Sequence, residues 1–348
     1  MKKIISIIVV LLPILVLGQS SNENYTKVTT YKEFTSSPIL HPDINQATVD
    51  VTYFDGLGRP IQVVNKQQSN SGKSIVKHID YDQYGRSLRD FLPYVSETNG
   101  VTFETDAINN AFNEPLYSGE VPFSEKQVED SPLQRVLKQS APGNTWSMGS
   151  GNEIEFNYDA NNEEEVKLYR AQASWNANHQ LYDVSLVDNS DYYDKNQLYK
   201  SIVKDENWQS GQDNTTEEFK DKEGKVVLKR TYNQGEKHDT YYVYDQFGNL
   251  TFVIPPKVNI NSPITNDILN QLCYQYKYDY RNRLVEKKLP GKQWEFIVYD
   301  KLDRVVATGP ALSPFTSSAE LGWIISKYDV FNRVVYTGWI SATVTTET

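Results

Sequence analysis

The sequence has little of the chemistry that metal proteins, redox proteins and disulfide-stabilised proteins use. Its 348 residues include one cysteine, two methionines and four histidines. With a single cysteine, Cys273, no internal disulfide can form, so the stability of the fold must come from packing and strand pairing. Cys273 lies in the alternating segment 272–276, which predicts a small buried apolar residue and not a nucleophile.

Motifs of catalytic and cofactor-binding sites are also missing. There is no glycine-rich phosphate loop, nucleophile elbow or dinucleotide fingerprint, and the Gly56-x-Gly58 pair belongs to a turn. Carboxylates are abundant, but the sequence singles out no pair that could flank a cleft, as a glycosidase requires. We therefore predict a protein that is not an enzyme and has no cofactor and no metal. No two of the histidines have metal-ligand spacing; they are His41, His78, His179 and His238.

Basic surfaces and long apolar segments are scarce as well. The formal net charge is −10, which argues against nucleic acid or an anionic membrane as a partner because both require a basic face. The longest apolar run, residues 4–17, follows Lys2-Lys3 and falls short of the roughly 20 residues that span a bilayer. With Gly18 before Gln19, it has the pattern of a secretory signal peptide, residues 1–18, cleaved near Gly18-Gln19. We expect an exported mature chain without a membrane anchor.

What the sequence does contain is a recurring seven-residue phrase, here called the Tyr-Asp phrase. Position 1 is aromatic, position 2 is Asp, positions 3 and 4 vary, position 5 is Gly, Asn or Asp, position 6 is usually Arg, and position 7 is usually apolar. A repeat of this kind predicts a scaffold more than an enzyme. Well-formed copies begin at Tyr81, Tyr244, Tyr278, Tyr299 and Tyr328, and looser copies begin at Phe54 and Lys220.

Each phrase has the residues of a tight turn. Position 5 carries the residue types that most readily adopt positive φ, and Asp at the start of a type I turn can accept a hydrogen bond from a backbone N–H. We interpret the Asp as a turn former and the Arg as its charge-assisted partner, a pair worth about 0.2–1 kcal/mol where exposed. The predicted turn residues are Asp55, Gly58, Arg59, Asp82, Gly85, Arg86, Asp221, Gly224, Asp245, Gly248, Asp279, Asn282, Arg283, Asp300, Asp303, Arg304, Asp329, Asn332 and Arg333.

Strand-forming segments flank the turns, as in residues 241–244 and 250–254. The sequence therefore predicts an all-β fold of antiparallel β-hairpin repeats. One hairpin is marginal in water, whereas hairpins placed side by side bury each other's tyrosine and aliphatic faces. Helices are expected only as short pieces, one within residues 125–138 and one at residues 265–272. The acidic run Glu163-Glu164-Glu165 is expected in a solvated loop.

Composition divides the chain into six segments, with a soft domain boundary near residue 145, after a stretch rich in proline and glycine. The predicted segments are a signal peptide (1–18), an extended lead-in (19–44), an N-terminal β domain with a loop-rich part (45–145), a β-strand region with a degenerate repeat (146–240), the main tract of phrases (241–340) and a tail (341–348).

The Tyr-Asp phrase resembles the YD repeat of the Rhs (rearrangement hotspot) family of bacterial secreted proteins, most closely in residues 241–340. Residues 52–62 also resemble the start of the N-terminal domain that precedes the repeats in Bacteroidetes-type members. The resemblance implies an extended, curved or spiralling sheet that forms part of a hollow shell, which in several members encloses a C-terminal toxin. The chain has no copy of the longer motif that closes such a shell, no self-cleavage motif and no toxin domain. It looks like the front part of a larger protein or a truncated reading frame.

Two functions are compatible with these observations. The first is a non-enzymatic scaffold in a β shell or surface structure, whose partner is a polypeptide cargo such as a toxin, encoded downstream or supplied in trans. The second is a cell-surface glycan-binding or adhesion module, since 24 tyrosines and six tryptophans, Trp323 and Trp339 among them, offer rings that can stack on sugars. The alternation of Tyr274, Tyr276 and Tyr278 favours cross-strand packing for most of these rings.

Overall fold

A computed structural model describes residues 23–117, 119–315 and 320–342, without the side chains of residues 189 and 190. The predicted signal peptide, residues 1–18, lies outside the described residues, as do residues 343–348 of the predicted tail. The helices of the described segments are too short or too polar to cross a membrane.

The described chain is almost entirely antiparallel β structure, so the all-β prediction is confirmed. The strands are β1 (Asn24–Tyr31), β2 (Ala47–Phe54), β3 (Pro60–Asn65), β4 (Ile75–His78), β5 (Arg89–Phe91), β6 (Tyr94–Val95), β7 (Phe123–Val128), β8 (Val136–Ser140), β9 (Ile154–Ala160), β10 (Lys167–Asn176), β11 (Leu181–Tyr192), β12 (Tyr199–Lys204), β13 (Thr215–Lys220), β14 (Val226–Asn233), β15 (Glu236–Tyr244), β16 (Leu250–Ile254), β17 (Tyr274–Tyr278), β18 (Leu284–Lys288), β19 (Trp294–Tyr299), β20 (Val305–Leu312), β21 (Leu321–Tyr328) and β22 (Val334–Ser341). The helices are α1 (Ala107–Phe112), α2 (Asn266–Leu272) and the 3₁₀ turns Pro115–Tyr117 and Asn144–Trp146.

Tertiary contacts divide the chain into an N-terminal unit, Met1–Glu155, and a C-terminal unit, Phe156–Thr348. The division falls within β9, whereas the sequence placed a soft boundary near residue 145, before that strand. The six segment ranges taken from composition stay a prediction.

The N-terminal unit contains an antiparallel sheet in the order β1-β2-β3-β4-β6. Residues alternate along β2 between buried and half-buried, which is the period of a strand with one face in the core. Val51, Tyr53, Val64 and Phe91 lie in this core, and α1 packs against it. Within the predicted lead-in, residues 19–44, β1 pairs with β2 along its full length. The sequence did not predict that pairing because β1 is polar and mostly exposed.

Two short helices were expected from the sequence, and one of them is confirmed. Helix α2 begins after Thr265, whose hydroxyl accepts a hydrogen bond from the Ile268 N–H at 3.4 Å. The helix predicted within residues 125–138 is wrong, because β7 and β8 form a hairpin there. The Glu129 N–H donates to the Arg135 carbonyl at 3.0 Å and closes that hairpin. A local helix propensity takes no account of strand pairing, and strand pairing determines the structure at this position.

In the C-terminal unit, strands β12 to β22 pair with their neighbours in chain order. The β10–β11 hairpin forms a separate two-stranded sheet that packs against the same apolar cluster as β13–β16 and α2. Tyr169 of β10, for example, meets Tyr241 of β15 edge to face, with ring centroids 5.1 Å apart. Cys273 is fully buried in this cluster and burial raises the pKa of its thiol to about 11, which confirms the prediction of a buried residue.

Candidate functional site: a row of interlocked turns

The seven Tyr-Asp phrases form the same backbone turn. In each, the Asp N–H donates to the carbonyl of position 6 at 2.9–3.0 Å, and the N–H of position 5 donates back to the Asp carbonyl at 2.9–3.2 Å. Position 5 has φ between 58° and 85° in every copy, the left-handed region that Gly, Asn and Asp tolerate best. A register shift lies directly before position 1 in most copies, as in a bulged hairpin.

The Asp side chain holds each turn together. Its Oδ1 atom accepts hydrogen bonds from the backbone N–H groups of positions 4 and 6, at 2.8–3.1 Å. Its Oδ2 atom accepts from Nε and Nη2 of the Arg at position 6, at 2.6–2.7 Å, in the five copies that have Arg there. Two guanidinium N–H groups thus converge on one carboxylate oxygen in charge-assisted hydrogen bonds. These five arginines are Arg59, Arg86, Arg283, Arg304 and Arg333.

The same contacts set the ionisation of the turn carboxylates. The Arg304 side chain holds the pKa of Asp300 below its ordinary value, and the Arg333 backbone N–H does the same for Asp329. Partial desolvation opposes both shifts. Because each pKa is depressed in the folded state, the ionised carboxylates stabilise the fold. Their contribution to stability is complete above the ordinary pKa of Asp and is lost as the pH falls through the folded-state value.

Successive phrases are joined through the tyrosine at position 1. Its hydroxyl donates to the backbone carbonyl of position 7 in the preceding phrase, at 2.8–3.1 Å, in five of the six pairs of successive copies. In the remaining pair, the copies that begin at Tyr81 and Lys220, the second copy has Lys in place of the tyrosine. The register of each strand against the previous hairpin is thereby fixed at its turn end. The five pairs are Tyr81 with Pro60, Tyr244 with Val226, Tyr278 with Leu250, Tyr299 with Leu284 and Tyr328 with Val305.

The cation at position 6 also reaches the next phrase. It lies 4.4–5.5 Å from the centre of the next tyrosine ring at four junctions, those of Arg59, Lys225, Arg283 and Arg304. At two of these, Nη1 also donates to position 5 of the next phrase: Arg283 to Asp303 at 2.6 Å and Arg304 to Asn332 at 2.9 Å. Each Tyr-Asp phrase thus carries contacts to its own turn and to its neighbour.

Glycine at position 5 makes room for the preceding cation. A Cβ atom at Gly85 would lie 2.7 Å from Nη1 of Arg59, and one at Gly248 would lie 3.0 Å from Nζ of Lys225. Position 5 therefore either accepts a hydrogen bond from the preceding cation or leaves space for it. We call the set of phrases with these junction contacts the turn row.

A further turn of this type escaped the sequence analysis. The Ser69 Oγ atom accepts from the Lys73 N–H at 2.9 Å, the Gly72 N–H donates to the Ser69 carbonyl at 3.0 Å, and Gly72 has φ of 72°. Serine here replaces the Asp, and the aromatic residue and the arginine are missing, so the phrase is not recognisable. A search for any Ser or Asp followed three residues later by Gly would have found it.

We expect Gly248→Val to destabilise the protein by about 1–3 kcal/mol, because a β-branched residue resists the φ of 85° at this position. Asp245→Asn should have a smaller effect, since the Asn side-chain oxygen can still accept from the turn N–H groups. Gly248→Asn is the matched control, because Asn adopts positive φ at this position in other phrases. Thermal unfolding compares the three variants, and equal melting shifts for Gly248→Val and Asp245→Asn would contradict the turn assignment.

A buried ion cluster lies in the C-terminal unit, on β12–β15 and the loop before β10. Arg230 is 4% exposed and donates to both carboxylate oxygens of Asp239, at 2.7 and 2.8 Å. Its Nη1 atom lies 3.6 Å from Glu217 and 3.7 Å from Glu165, and Lys200 contacts the same two glutamates at 3.2 and 2.7 Å. Glu217, Arg230 and Asp239 are direct cross-strand neighbours on β13, β14 and β15.

The cluster corrects one expectation from the sequence. Residues 163–165 lie in a loop and Glu163 and Glu164 are exposed, as predicted, but the Glu165 side chain is only 15% exposed, so the prediction that it is solvated is wrong. Burial tends to raise the pKa of Glu165, and the bonds from Lys200 and the Asn162 N–H outweigh it, so the pKa lies below its ordinary value. The cluster was missed because it depends on the register of four neighbouring strands and on a loop residue, Glu165, that precedes β10.

The described residues give little basis for metal or acid–base chemistry. No group of three His, Cys, Asp or Glu side chains within them is placed to hold a metal ion. His78 packs edge to face on Phe91, with ring centroids 5.2 Å apart, and burial lowers its pKa against the opposing charge of Asp80. A cleft of about 500 Å³ in the N-terminal unit is lined in part by Tyr94, Glu104 and Glu114. The Tyr94 hydroxyl donates to the Glu104 carboxylate at 2.7 Å, and the Val95 N–H donates to the Glu114 carboxylate at 2.7 Å. That the protein is not an enzyme stays a prediction.

Comparison with known proteins gave one family match and several similar folds. Residues 26–160 match the family model of DUF6443, a domain of unknown function. No curated protein matches the sequence. The match covers β1 to β9 and therefore includes the first two phrases of the turn row.

Solved structures resemble the chain over most of its length. The crystal structure of TcdB2-TccC3-TEV has a TM-score of 0.52 and 14% identity over 90% of this chain. That of TcdB2-TccC3-Cdc42 has 0.51 and 14% over 86%, and the Photorhabdus luminescens Tc holotoxin pore has 0.51 and 14% over 87%. The chain spans only 13% of the length of each of these similar chains. At this identity the likeness concerns the fold alone, and together with the DUF6443 match it supports an Rhs-like β structure.

Proposed function

We propose that the chain is a non-enzymatic, exported scaffold that contributes to a β shell or surface structure and carries or shields a polypeptide such as a toxin. The observation that carries this proposal is the turn row. Its recurrent carboxylates, cations and tyrosine hydroxyls bind the same turn or an adjacent one, so these groups act in assembly of the sheet. A sheet built by such a rule can be extended by adding hairpins.

The similar structures support the same proposal. Two of them are named TcdB2-TccC3-TEV and TcdB2-TccC3-Cdc42, names that add a further component to TcdB2-TccC3. The negative charge of this chain and its single cysteine are also compatible with an exported, soluble structural protein. Under this proposal the cargo is a polypeptide that is encoded downstream or supplied in trans.

Protection from protease tests the scaffold function. The chain is co-expressed with the polypeptide encoded directly downstream or by the neighbouring gene, and the purified mixture is treated with protease. We expect co-purification and slower cleavage of that polypeptide than when it is alone. A gene region with no repeat-bearing continuation or neighbour, or cleavage at an unchanged rate, would remove the cargo role. Sequencing the exported protein from its N-terminus, expected at Gln19, tests the export.

A second candidate function, glycan binding, is favoured by one exposed aromatic cluster. Trp175 and Tyr182 at the tip of the β10–β11 hairpin meet edge to face at 5.1 Å, Tyr182 lies 4.9 Å from Phe247, and Trp175 lies 6.3 Å from Tyr280. Three of these residues are 41–65% exposed. Trp323 does not belong to this cluster: it is only 9% exposed and packs near Phe296.

Trp175→Ala with Tyr280→Ala tests the glycan candidate on an array of surface polysaccharides. If the cluster binds sugar, the double variant loses the signal, whereas Tyr199→Ala, an equally exposed ring outside the cluster, retains it. No signal for the unmodified chain would end this candidate and leave the cluster as an anchor of the β10–β11 hairpin.

A further inference from the structure

The β10–β11 hairpin shows how one turn of the turn row holds a second β element. Gln246, at position 3 of its phrase, bonds to both backbone polar groups of Ala173 on β10. Its Oε1 atom accepts from the Ala173 N–H at 3.1 Å, and its Nε2 atom donates to the Ala173 carbonyl at 2.8 Å. Phe247, at position 4, meets Tyr182 of β11 with ring centroids 4.9 Å apart. The amide thus pairs with the edge of β10 as a residue of a neighbouring strand would, and the ring contact anchors the hairpin.

The next turn completes this docking site. Tyr280, at position 3 of the following phrase, lies 6.3 Å from Trp175 of β10, measured between ring centroids. Lys277, directly before that phrase, pairs with Asp183 of β11 at 3.3 Å. Two neighbouring turns therefore hold the hairpin through an amide, aromatic rings and a charged pair.

The N-terminal unit has two turns in the same arrangement. Positions 3 to 5 are Gln, an aromatic residue and Gly both in the phrase that begins at Tyr81 and in the phrase that begins at Tyr244. After the Tyr81 phrase, β5 pairs with β7, and β7 leads into the turn that begins at Glu129. After the Tyr244 phrase, β16 pairs with β17, and β17 leads into the phrase that begins at Tyr278. The residues and the strand order of the docking site thus recur in the N-terminal unit.

Gln83 and Tyr84, the amide and the ring of this second arrangement, are exposed. Within residues 23–117, 119–315 and 320–342, the Gln83 side chain makes no hydrogen bond, and Tyr84 is 70% exposed. The Arg86 guanidinium lies 5.0 Å from the centre of the Tyr84 ring and supports its position. Leu57, at position 4 of the preceding phrase, is 79% exposed. Two large apolar side chains exposed on adjacent turns favour an interaction surface.

The same surface carries an uncompensated negative charge. A cleft of about 380 Å³ is lined by residues of both turns, Tyr84 and Asp130 among them. Its other two charged side chains, Arg86 and Glu129, are compensated by partners in their own turns. Asp130 is exposed and has no bond to another described residue; it directly follows the acidic residue of its turn, as Tyr280 does in its own phrase. A complementary partner therefore brings a cation to the place that corresponds to the Tyr280 contact with β10.

We infer that Gln83, Tyr84 and Asp130, with Leu57 beside them, form a docking site for the edge strand of a β-hairpin on a partner polypeptide. The Gln83 amide bonds to the N–H and the carbonyl of one residue of that strand. The Tyr84 and Leu57 side chains contact an apolar ring of the hairpin, and the Asp130 carboxylate pairs with a Lys or Arg side chain. The inference goes beyond the scaffold function, because it assigns the N-terminal unit a partner besides the shielded polypeptide.

The β10–β11 hairpin supplies the probe for a binding test. A synthetic peptide of residues 167–192 is joined at its ends, where Lys167 pairs with Tyr192, because an isolated hairpin is marginal in water and cyclisation keeps its shape. Trp175→Lys in the peptide supplies the cation. We expect saturable binding of this peptide to the full chain by fluorescence anisotropy. The chain's own hairpin is tethered at Gln246 and outcompetes the peptide there.

Variants of the full chain test each part of the site. Gln83→Ala removes two hydrogen bonds and should weaken binding about tenfold. Tyr84→Ala should weaken it to a similar degree through the lost ring contact. Asp130→Asn should weaken binding of the Trp175→Lys peptide about threefold and leave that of the natural peptide unchanged. Gln68→Ala removes an exposed glutamine from another turn of the same unit and should bind the peptide like the unmodified chain.

Because Gln83, Tyr84 and Asp130 are exposed, their variants should melt at nearly the same temperature as the unmodified chain, so that a loss of affinity reports docking. Equal affinity of Gln83→Ala and Gln68→Ala, or no binding by the unmodified chain, would overturn the inference. Weaker binding by Tyr84→Ala alone would also overturn it, because an apolar contact without strand pairing would then explain the binding. An unchanged affinity of Asp130→Asn for the Trp175→Lys peptide would contradict the cation assigned to the partner.

Discussion

Arg230→Ala is expected to lower the free energy of unfolding by about 3–5 kcal/mol, the effect of removing one partner from a buried ion cluster. The substitution leaves Glu217, Asp239 and Glu165 with Lys200 as their only nearby cation in the cluster. Glu217 is 6% exposed and its Oε2 atom has no hydrogen-bond partner in the described structure, so solvent cannot replace the lost charge. Chemical denaturation measures the change.

Arg135→Ala is the matched control for this variant. Arg135 also makes a bidentate pair, with Glu129 at 3.0 and 2.8 Å, but its side chain is 44% exposed. Its loss should change the free energy of unfolding by no more than about 1 kcal/mol. Similar changes for the two variants would contradict the view that burial makes the Arg230 cluster important.

The same cluster has a pH dependence of known sign. Because the pKa of Glu165 is lowered in the folded state, its contribution to stability is complete above the ordinary pKa of Glu and is lost as the pH falls through the folded-state value. Glu165→Gln should therefore reduce the acid sensitivity of the C-terminal unit in that window.

Gln62→Leu should destabilise the N-terminal unit by about 2–4 kcal/mol, because it removes two buried hydrogen bonds and leaves their partners unsatisfied. Gln62 is fully buried; its Nε2 donates to the Glu104 carbonyl and its Oε1 accepts from the Glu104 N–H, both at 2.9 Å. The pair fixes the segment that places Phe103 against Tyr53, with ring centroids 5.3 Å apart.

Gln68→Leu provides the control in the same hairpin. Gln68 is exposed and only donates to the Lys66 carbonyl at 3.2 Å, so the substitution should change stability by less than about 0.5 kcal/mol. Denaturation of both variants, followed by circular dichroism, makes the comparison. A Gln62→Leu change as small as that of Gln68→Leu would mean that the Glu104 segment is held by other contacts.

The contacts that these variants test differ in how far the sequence could predict them. The turn of each phrase depends on six consecutive residues, so Asp279, Asn282 and Arg283 could be interpreted without knowledge of the fold. The bond from Tyr299 to the Leu284 carbonyl joins two phrases, and the sequence offered only the repeat itself as a sign of it.

Contacts between residues that are further apart in the sequence could be predicted even less. Arg230 of β14 lies 3.7 Å from Glu165 in the loop before β10, and Gln62 of β3 bonds to Glu104 in the segment before α1. Side chains on a strand point alternately to its two faces, whether those faces are buried or exposed. The sequence pattern therefore does not distinguish a buried charge from a surface charge. The helix wrongly expected within residues 125–138 has the same origin, since a hairpin partner overrides local propensity.

The connections at the two ends of strands β15–β22 differ in how much their length can vary. The phrases occupy one end, where every turn has the same length and touches its neighbours. The connections at the opposite end vary: one contains α2, and another is the short turn closed between Leu289 and Lys292. Insertions can accumulate at that end without disturbing the register. Such freedom explains why the aspartates at 245, 279, 300 and 329 are unevenly spaced although the turns they form are alike.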